Sequence, residues 1–288
     1  MSARIKPKIS VVLPSSLTAE ERSLLHKTIK IGFVGRALAI FRVNEVVIYS
    51  DRPSAREDGT LIAEVLRYME APQYLRKRLF PLRGELQYVG TLPPLRTPHH
   101  PLESKEELLA EGSYREGMVL ESGGRSSLVD IGTDTPIRLS NAVLPRGTRV
   151  TVRILKVGNR FEGTLAKVEE APLYWGYKVV LSMHPLGETL RRYGGDLLIA
   201  TSRYGVKADE ALRKMGDRWS KSEKVTIAFG SPYEGLREIL EREKLQMNKA
   251  FDFTINAIPT QGTKTVRTEE AIYSTLALVN SFVGGWPI

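Results

Sequence analysis

Two strand-loop-helix units stand next to each other near the C-terminus, and that pairing constrains the fold more than any other feature of the chain. The apolar runs Val225–Phe229 and Phe251–Ile255 have strand character. Each opens into a short loop, Phe229–Leu236 and Asn256–Thr265, and each loop leads into a helical pattern, Leu236–Lys244 and Thr268–Phe282. In an open α/β sheet, ligands gather beyond the carboxyl ends of the strands, where glycine lets the backbone come close. The two loops are therefore the expected place of function.

The N-terminal part shows the same alternation. Ile9–Pro14 reads as a buried strand, and Thr18 with Glu21 three residues later reads as a capping box. Leu24, Leu25, Ile29, Phe33, Ala37 and Ile40 then recur at helical spacing. Val46–Tyr49 forms a second strand, and Asp58 caps a helix carrying Leu61, Ile62, Val65, Leu66 and Met69. From Gly84 to Ala171 glycine and proline become frequent and helical periodicity fades. Short strand patterns follow one another there: Gly117–Glu121, Ser126–Ile131, Pro136–Leu139, Thr148–Val157 and Phe161–Val168. Such a succession fits a small barrel of the oligonucleotide-binding type. The α/β alternation resumes with Lys178–Ser182, a helix near Leu186–Tyr193 and the strand Leu197–Thr201. The expected fold class is α/β, with residues 1–83 and 172–288 forming one discontinuous domain and 84–171 an inserted barrel. Two tandem domains are the other order the pattern admits.

A chain of 288 residues, 42% of them hydrophobic, can bury a substantial core. No apolar stretch approaches the ~20 residues that cross a bilayer, and no secretory pattern opens the chain, so the expected location is the cytoplasm. With no cysteine and four histidines, disulfides, thiolate nucleophiles and zinc clusters drop out, and no metal is expected. A net charge of +9 points toward a polyanion such as nucleic acid, although it also serves solubility. The densest basic cluster is Arg76, Lys77 and Arg78, flanked by Tyr74 and Phe80. Arg125, Arg138, Arg149 and Arg153 spread charge over the barrel strands, where a basic face would track an RNA backbone. A solvated barrel surface would carry the same residues.

The loops lack the motifs of three large enzyme classes. Gly262 and Lys264 are separated by Thr263, and Ala257 stands where a phosphate-cradling loop has its first glycine. There is no Gly-x-Gly-x-x-Gly after a strand and no Gly-x-Ser-x-Gly elbow. What Gly230–Leu236 and the Ile258-Pro259 turn leading to Thr265–Ile272 do resemble is the SPOUT superfamily of RNA methyltransferases, whose C-terminal half is a trefoil knot. Over nearly its whole length the chain is similar to the archaeal and eukaryotic branch in which an oligonucleotide-binding barrel interrupts the knotted domain. Thr265, Val266 and Arg267 replace the usual Ser-Leu-Asn opening of the final helix.

The resemblance implies S-adenosylmethionine as methyl donor and S-adenosylhomocysteine as product, bound mainly by main-chain groups. Thr201 and Ser202 would form the floor; Phe229, Gly230, Ser231, Gly235 and Leu236 one wall; Asn256, Ile258, Pro259 and Thr265 the other. Arg36, Arg203 and Glu234 are the candidate catalytic side chains, each of which also fits a surface or ion-pairing role. The resemblance further implies a homodimer, for which Ile272, Leu276, Val279 and Val283 offer one face of the final helix, and an RNA substrate, with a ribosomal RNA uridine base favoured. A non-catalytic RNA-binding or ribosome-assembly factor with a vestigial knot domain is the reading from another class.

Overall fold

Strand β1 (Lys8–Pro14) is buried along all but its first residue, as a strand flanked on both sides and covered on both faces must be. The computed structural model describes residues 7–102, 104–105, 109–157 and 160–282. After β1 come α1 (Leu24–Ile40), β2 (Glu45–Tyr49), α2 (Arg56–Glu70) and α3 (Gln73–Leu79). A second set of strands follows, β3 (Tyr114–Gly123), β4 (Ser126–Asp130), β5 (Ile137–Ser140), β6 (Arg149–Val157) and β7 (Arg160–Ala166). The chain then runs through β8 (Lys178–Leu181), α4 (Leu186–Tyr193), β9 (Leu197–Lys207), α5 (Ala208–Lys221) and β10 (Lys224–Ala228). It ends with α6 (Leu236–Arg242), α7 (Met247–Ala250), β11 (Phe253–Asn256) and α8 (Thr268–Phe282).

The strands at the two ends of the chain share one six-stranded sheet in the order β11-β9-β10-β1-β2-β8, every pair parallel. Strands β3 to β7 close into a separate barrel, β3-β4-β5-β7-β6, around Val119, Val129, Ile131, Leu139, Val152 and Ile154. Two compact units result. One holds residues up to Met69, Gly84–Pro93 and the chain from Tyr177; the other holds Glu70–Arg83 and Pro94–Gly176. The expected edges at 84 and 171 therefore differ from the observed exchanges, because Glu70–Arg83 groups with the barrel and Gly84–Pro93 with the sheet.

Local readings are corrected in three places. The first helix starts at Leu24, with the Ser23 hydroxyl accepting from the His26 N–H at 3.2 Å, while Thr18 and Glu21 close a turn before it. Asp58 lies inside the first turn of α2, where it pairs with Lys27 at 2.6 Å, rather than capping it. On α1 the buried side is Ile31, Val34, Ala37 and Leu38, and Ile29, Phe33 and Ile40 are left 36%, 56% and 49% exposed. A helix apolar on nearly every side gives periodicity little to choose between. The face of α8 expected to meet a second copy is also corrected: Ile272, Leu276 and Val279 are buried within the chain, and Val283 lies outside the described residues.

Candidate active site

A cleft of about 370 Å³ opens at the carboxyl ends of β9, β10 and β11, three neighbouring strands of the parallel sheet. Its first segment comes from an irregularity in β9. Ile199 and Ala200 pair with Phe253 and Thr254, and the next paired residues are Val206 and Lys207 opposite Ile255 and Asn256. Thr201–Gly205 thus leave the ladder with β11 as a bulge. Gly205 permits the return, since a Cβ there would lie 2.6 Å from the Ile255 carbonyl carbon. The expected strand end at Thr201 is in fact the start of this bulge, and Thr201, Ser202, Arg203 and Tyr204 all line the cleft.

The loop after β10 supplies the second segment. The Phe229 N–H donates to the Val12 carbonyl at 3.0 Å, and its own carbonyl accepts from the buried Tyr49 hydroxyl at 3.0 Å. Burial, then the charges of Asp51 and Glu243, push the Tyr49 pKa well above its usual value, so the hydroxyl remains a donor. Beyond Gly230, Ser231 ties the loop to itself: its N–H donates to the Glu234 carbonyl at 2.9 Å and its Oγ accepts the Glu234 N–H at 3.0 Å. The Glu234 carboxylate is bound by Arg242 and by Arg52 at 3.5 Å, and Arg242 also donates to the Asp51 carbonyl at 2.7 Å. Glu234 therefore braces the loop through two guanidiniums.

The loop after β11 forms the third segment. Asn256 Oδ1 accepts the Ile258 N–H at 3.0 Å, while its Nδ2 donates to the Arg203 carbonyl at 2.7 Å and joins this loop to the β9 bulge. Arg203 returns a bond to the Lys264 carbonyl at 3.3 Å. Helix α8 contributes Thr268, Ala271 and Thr275, small residues on one face; Thr275 Oγ1 is buried there without a partner.

Of the residues assigned to donor binding, Thr201, Ser202, Phe229, Gly230, Ser231, Gly235, Leu236, Asn256, Ile258 and Thr265 come together around this cleft. Pro259 instead lines an adjoining depression with Arg203, Tyr204, Asn256, Ile258 and Gln261. Arg203 and Glu234 are at the cleft; Arg36, on α1, does not line it. Sequence reasoning missed Tyr204, Tyr233 and the α8 threonines, although Thr268, Ala271 and Thr275 are spaced to share a helix face.

In the barrel unit, Lys77, Arg125, Arg138 and Arg153 are exposed. Arg76 donates to the Ala71 carbonyl at 2.9 Å, and Arg78 pairs with Asp130 at 2.9 Å. Arg149 departs from the expected solvent-facing role: it grips Glu70 at 2.6 and 3.0 Å and Glu116 at 2.7 Å, which occupies its guanidinium. Among the described residues, no cluster of three or more His, Cys, Asp or Glu could hold a metal ion, and no helix is long and apolar enough to cross a membrane.

Residues 8–279 match the family described as “Putative RNA methyltransferase”. The chain belongs to that family. Among its relatives, an uncharacterized protein of Haloarcula marismortui is 36% identical over 93% of this chain and 96% of its own. The 28S rRNA (uridine-N(3))-methyltransferase of Drosophila melanogaster is 32% identical over 96% of this chain and 63% of its own, and the Homo sapiens protein of the same name 31% over 93% and 77%. The methyltransferase thus carries an α/β sheet and a closed barrel within one matched sequence span.

Proposed function

We propose that the enzyme transfers a methyl group from S-adenosylmethionine to N3 of a uridine in ribosomal RNA, using the cleft at the ends of β9, β10 and β11. One observation carries the reading: the Gly230–Leu236 loop, the Ile258 turn and the Thr201–Tyr204 bulge, distant in sequence, line a single cavity. The residues fit the donor. Phe229, Leu236 and Ile258 offer apolar surface for an adenine, Gly230 and Gly235 leave main chain bare, and Thr275 Oγ1 is an unused polar atom in the lining. When bound, S-adenosylmethionine supplies an electrophilic methyl group on a sulfonium. The chain's own task is to align a nucleophile with it, exclude water and accommodate the charge left when uracil loses its N3 proton. Of the two arginines that line the cleft, Arg203 and Arg237, Arg203 is assigned to that charge, while Glu234, already bound by Arg52 and Arg242, holds the loop in place. The reading includes a trefoil knot in the segments after β10 and β11, supported by the adjacency of β9, β10 and β11.

The barrel unit, its barrel of the oligonucleotide-binding type, carries the RNA on exposed Lys77 of α3 and Arg125, Arg138 and Arg153. Incubating the enzyme with labelled donor and ribosomal RNA fragments, followed by nucleoside mass spectrometry, should yield 3-methyluridine. Arg203→Ala should lower kcat about 100-fold, the scale of one lost electrostatic contact to a developing charge. Product methylated on ribose, or none at all, would refute the assignment.

The reading also includes a homodimer. Its interface is the stripe Ile29, Phe33 and Ile40 on α1, beside α8 and the Phe41–Tyr273 edge-to-face pair at 6.2 Å. The occupant is a second copy, as the family resemblance implies, and Arg36 on the same helix could act in transfer only across that pairing. Phe33→Glu should convert the dimer to monomer in sedimentation; an unchanged sedimentation coefficient would exclude this face.

A further inference from the structure

Two aromatic rings at the cleft lie outside the hydrophobic core. Tyr233 and Tyr204 line the cavity and are nevertheless 57% and 71% exposed. Each has a guanidinium over its ring: Arg52 Cζ stands 5.3 Å from the Tyr233 centroid, and Arg203 Cζ 4.7 Å from the Tyr204 centroid.

The Tyr233 ring is anchored through its hydroxyl, and Tyr204 is held through its backbone and the neighbouring guanidinium. The Tyr233 hydroxyl donates to the Ala19 carbonyl at 3.2 Å, and the Tyr204 N–H donates to Ser202 Oγ at 3.2 Å. Arg52 is fixed by Asp51 at 3.4 Å and Glu234 at 3.5 Å, and Arg203 by the Lys264 carbonyl at 3.3 Å. An ordered aromatic surface, open to solvent and next to a cation, suits a nucleobase stacked on the ring with its phosphate near the positive charge.

We propose that Tyr233 and Tyr204 are stacking platforms for unpaired nucleotides next to the acceptor, so that the enzyme takes its RNA as a single strand or as a splayed loop. The inference rests on the RNA methyl-transfer reading and adds the conformation in which the substrate must arrive. Bases inside a helix are stacked on each other and offer no free faces, whereas loop and single-strand bases do.

The test uses Tyr233→Ala, Tyr204→Ala, the double variant and the two phenylalanine variants of the full chain. Anisotropy measures binding of an unstructured uridine-containing oligoribonucleotide, and of the same strand annealed to its complement, across a salt series. Each alanine should weaken single-strand binding about 10-fold, and phenylalanine should restore it. The slope of log affinity against log salt should not change, since tyrosine neutralises no phosphate. Duplex binding should stay at wild-type values, and calorimetry with S-adenosylmethionine reads the donor site of each variant separately from its RNA binding. A double variant that binds single strands like wild type, or loses duplex binding equally, overturns the proposal. Failure of the wild-type enzyme to bind S-adenosylmethionine would instead overturn the methyl-transfer reading, whatever the tyrosines do.

Discussion

Replacing Gly230 with valine should abolish binding of S-adenosylmethionine, with affinity falling at least about 100-fold, or roughly 3 kcal/mol. A Cβ at this position would stand 2.9 Å from the Glu234 carbonyl oxygen and 3.1 Å from the Gly235 Cα. Both obstacles are backbone of the same loop, so no side-chain rotation relieves the clash. The loop can only open, and in opening it displaces Gly235 and Leu236 from the wall and strains the bonds from Ser231 to Glu234. Gly216→Ala is the matched control. A Cβ there meets nothing within 4 Å, and the exchange inside α5 should be neutral or stabilising by up to about 1 kcal/mol. Isothermal calorimetry reads both variants; full affinity in Gly230→Val would remove the loop from the donor site.

Arg149→Ala should produce the largest loss of stability in the barrel unit, on the order of 3 kcal/mol. The substitution strands Glu70 and Glu116, both buried, which share that guanidinium. Glu116 keeps bonds from Thr151 and from the Trp175 indole at 2.7 Å each, whereas Glu70 keeps His99 at 3.1 Å. Burial pushes the Glu70 carboxyl up, but the His99 hydrogen bond and the Arg149 guanidinium outweigh it and hold the pKa at about 2. His100 is shifted down to about 4, chiefly by burial and then by the charge of His99. Both folded values lie below the unfolded ones, 4.5 for the carboxyl and 6.5 for the imidazole, so both groups stabilise the fold above those values. Acid removes the histidine contribution between pH 6.5 and about 4, and the glutamate contribution between 4.5 and about 2. Hydrogen exchange of β3 to β6 peptides in the intact chain should show protection falling across the first window, and His100→Gln should flatten that fall. Protection unchanged in Arg149→Ala would show that the network contributes nothing to stability.

The charge network also marks a limit of reading by residue type. Arg149 looks like any other basic residue on a barrel strand, and only the approach of Glu70, 79 positions away, makes it structural. Arg125, Arg138 and Arg153 have the same composition signal and stay exposed. The alternation of apolar runs with loops was a stronger guide, because burying a parallel strand on both faces demands a continuous hydrophobic stretch. That requirement made β1, β2 and β10 legible to within a few residues. Helix α1 misled for the converse reason: with apolar residues on several faces, its pattern could not say that Phe33 would face solvent and Val34 the core.

Local chemistry along the chain was enough to specify an α/β sheet interrupted by a small barrel, and to mark the glycine loop and the Ile-Pro turn as candidate ligand-binding segments. These features depend on hydrophobic runs and backbone freedom, which act over a few neighbouring residues. Tertiary structure alone decided that Thr201–Gly205 bulge out of the β9–β11 ladder, that Tyr204 and Tyr233 line the same cleft, and that Glu234 is bound between Arg52 and Arg242. Those outcomes depend on strand register and on partners as far as 214 positions apart, and such separations leave no periodicity for a sequence to display.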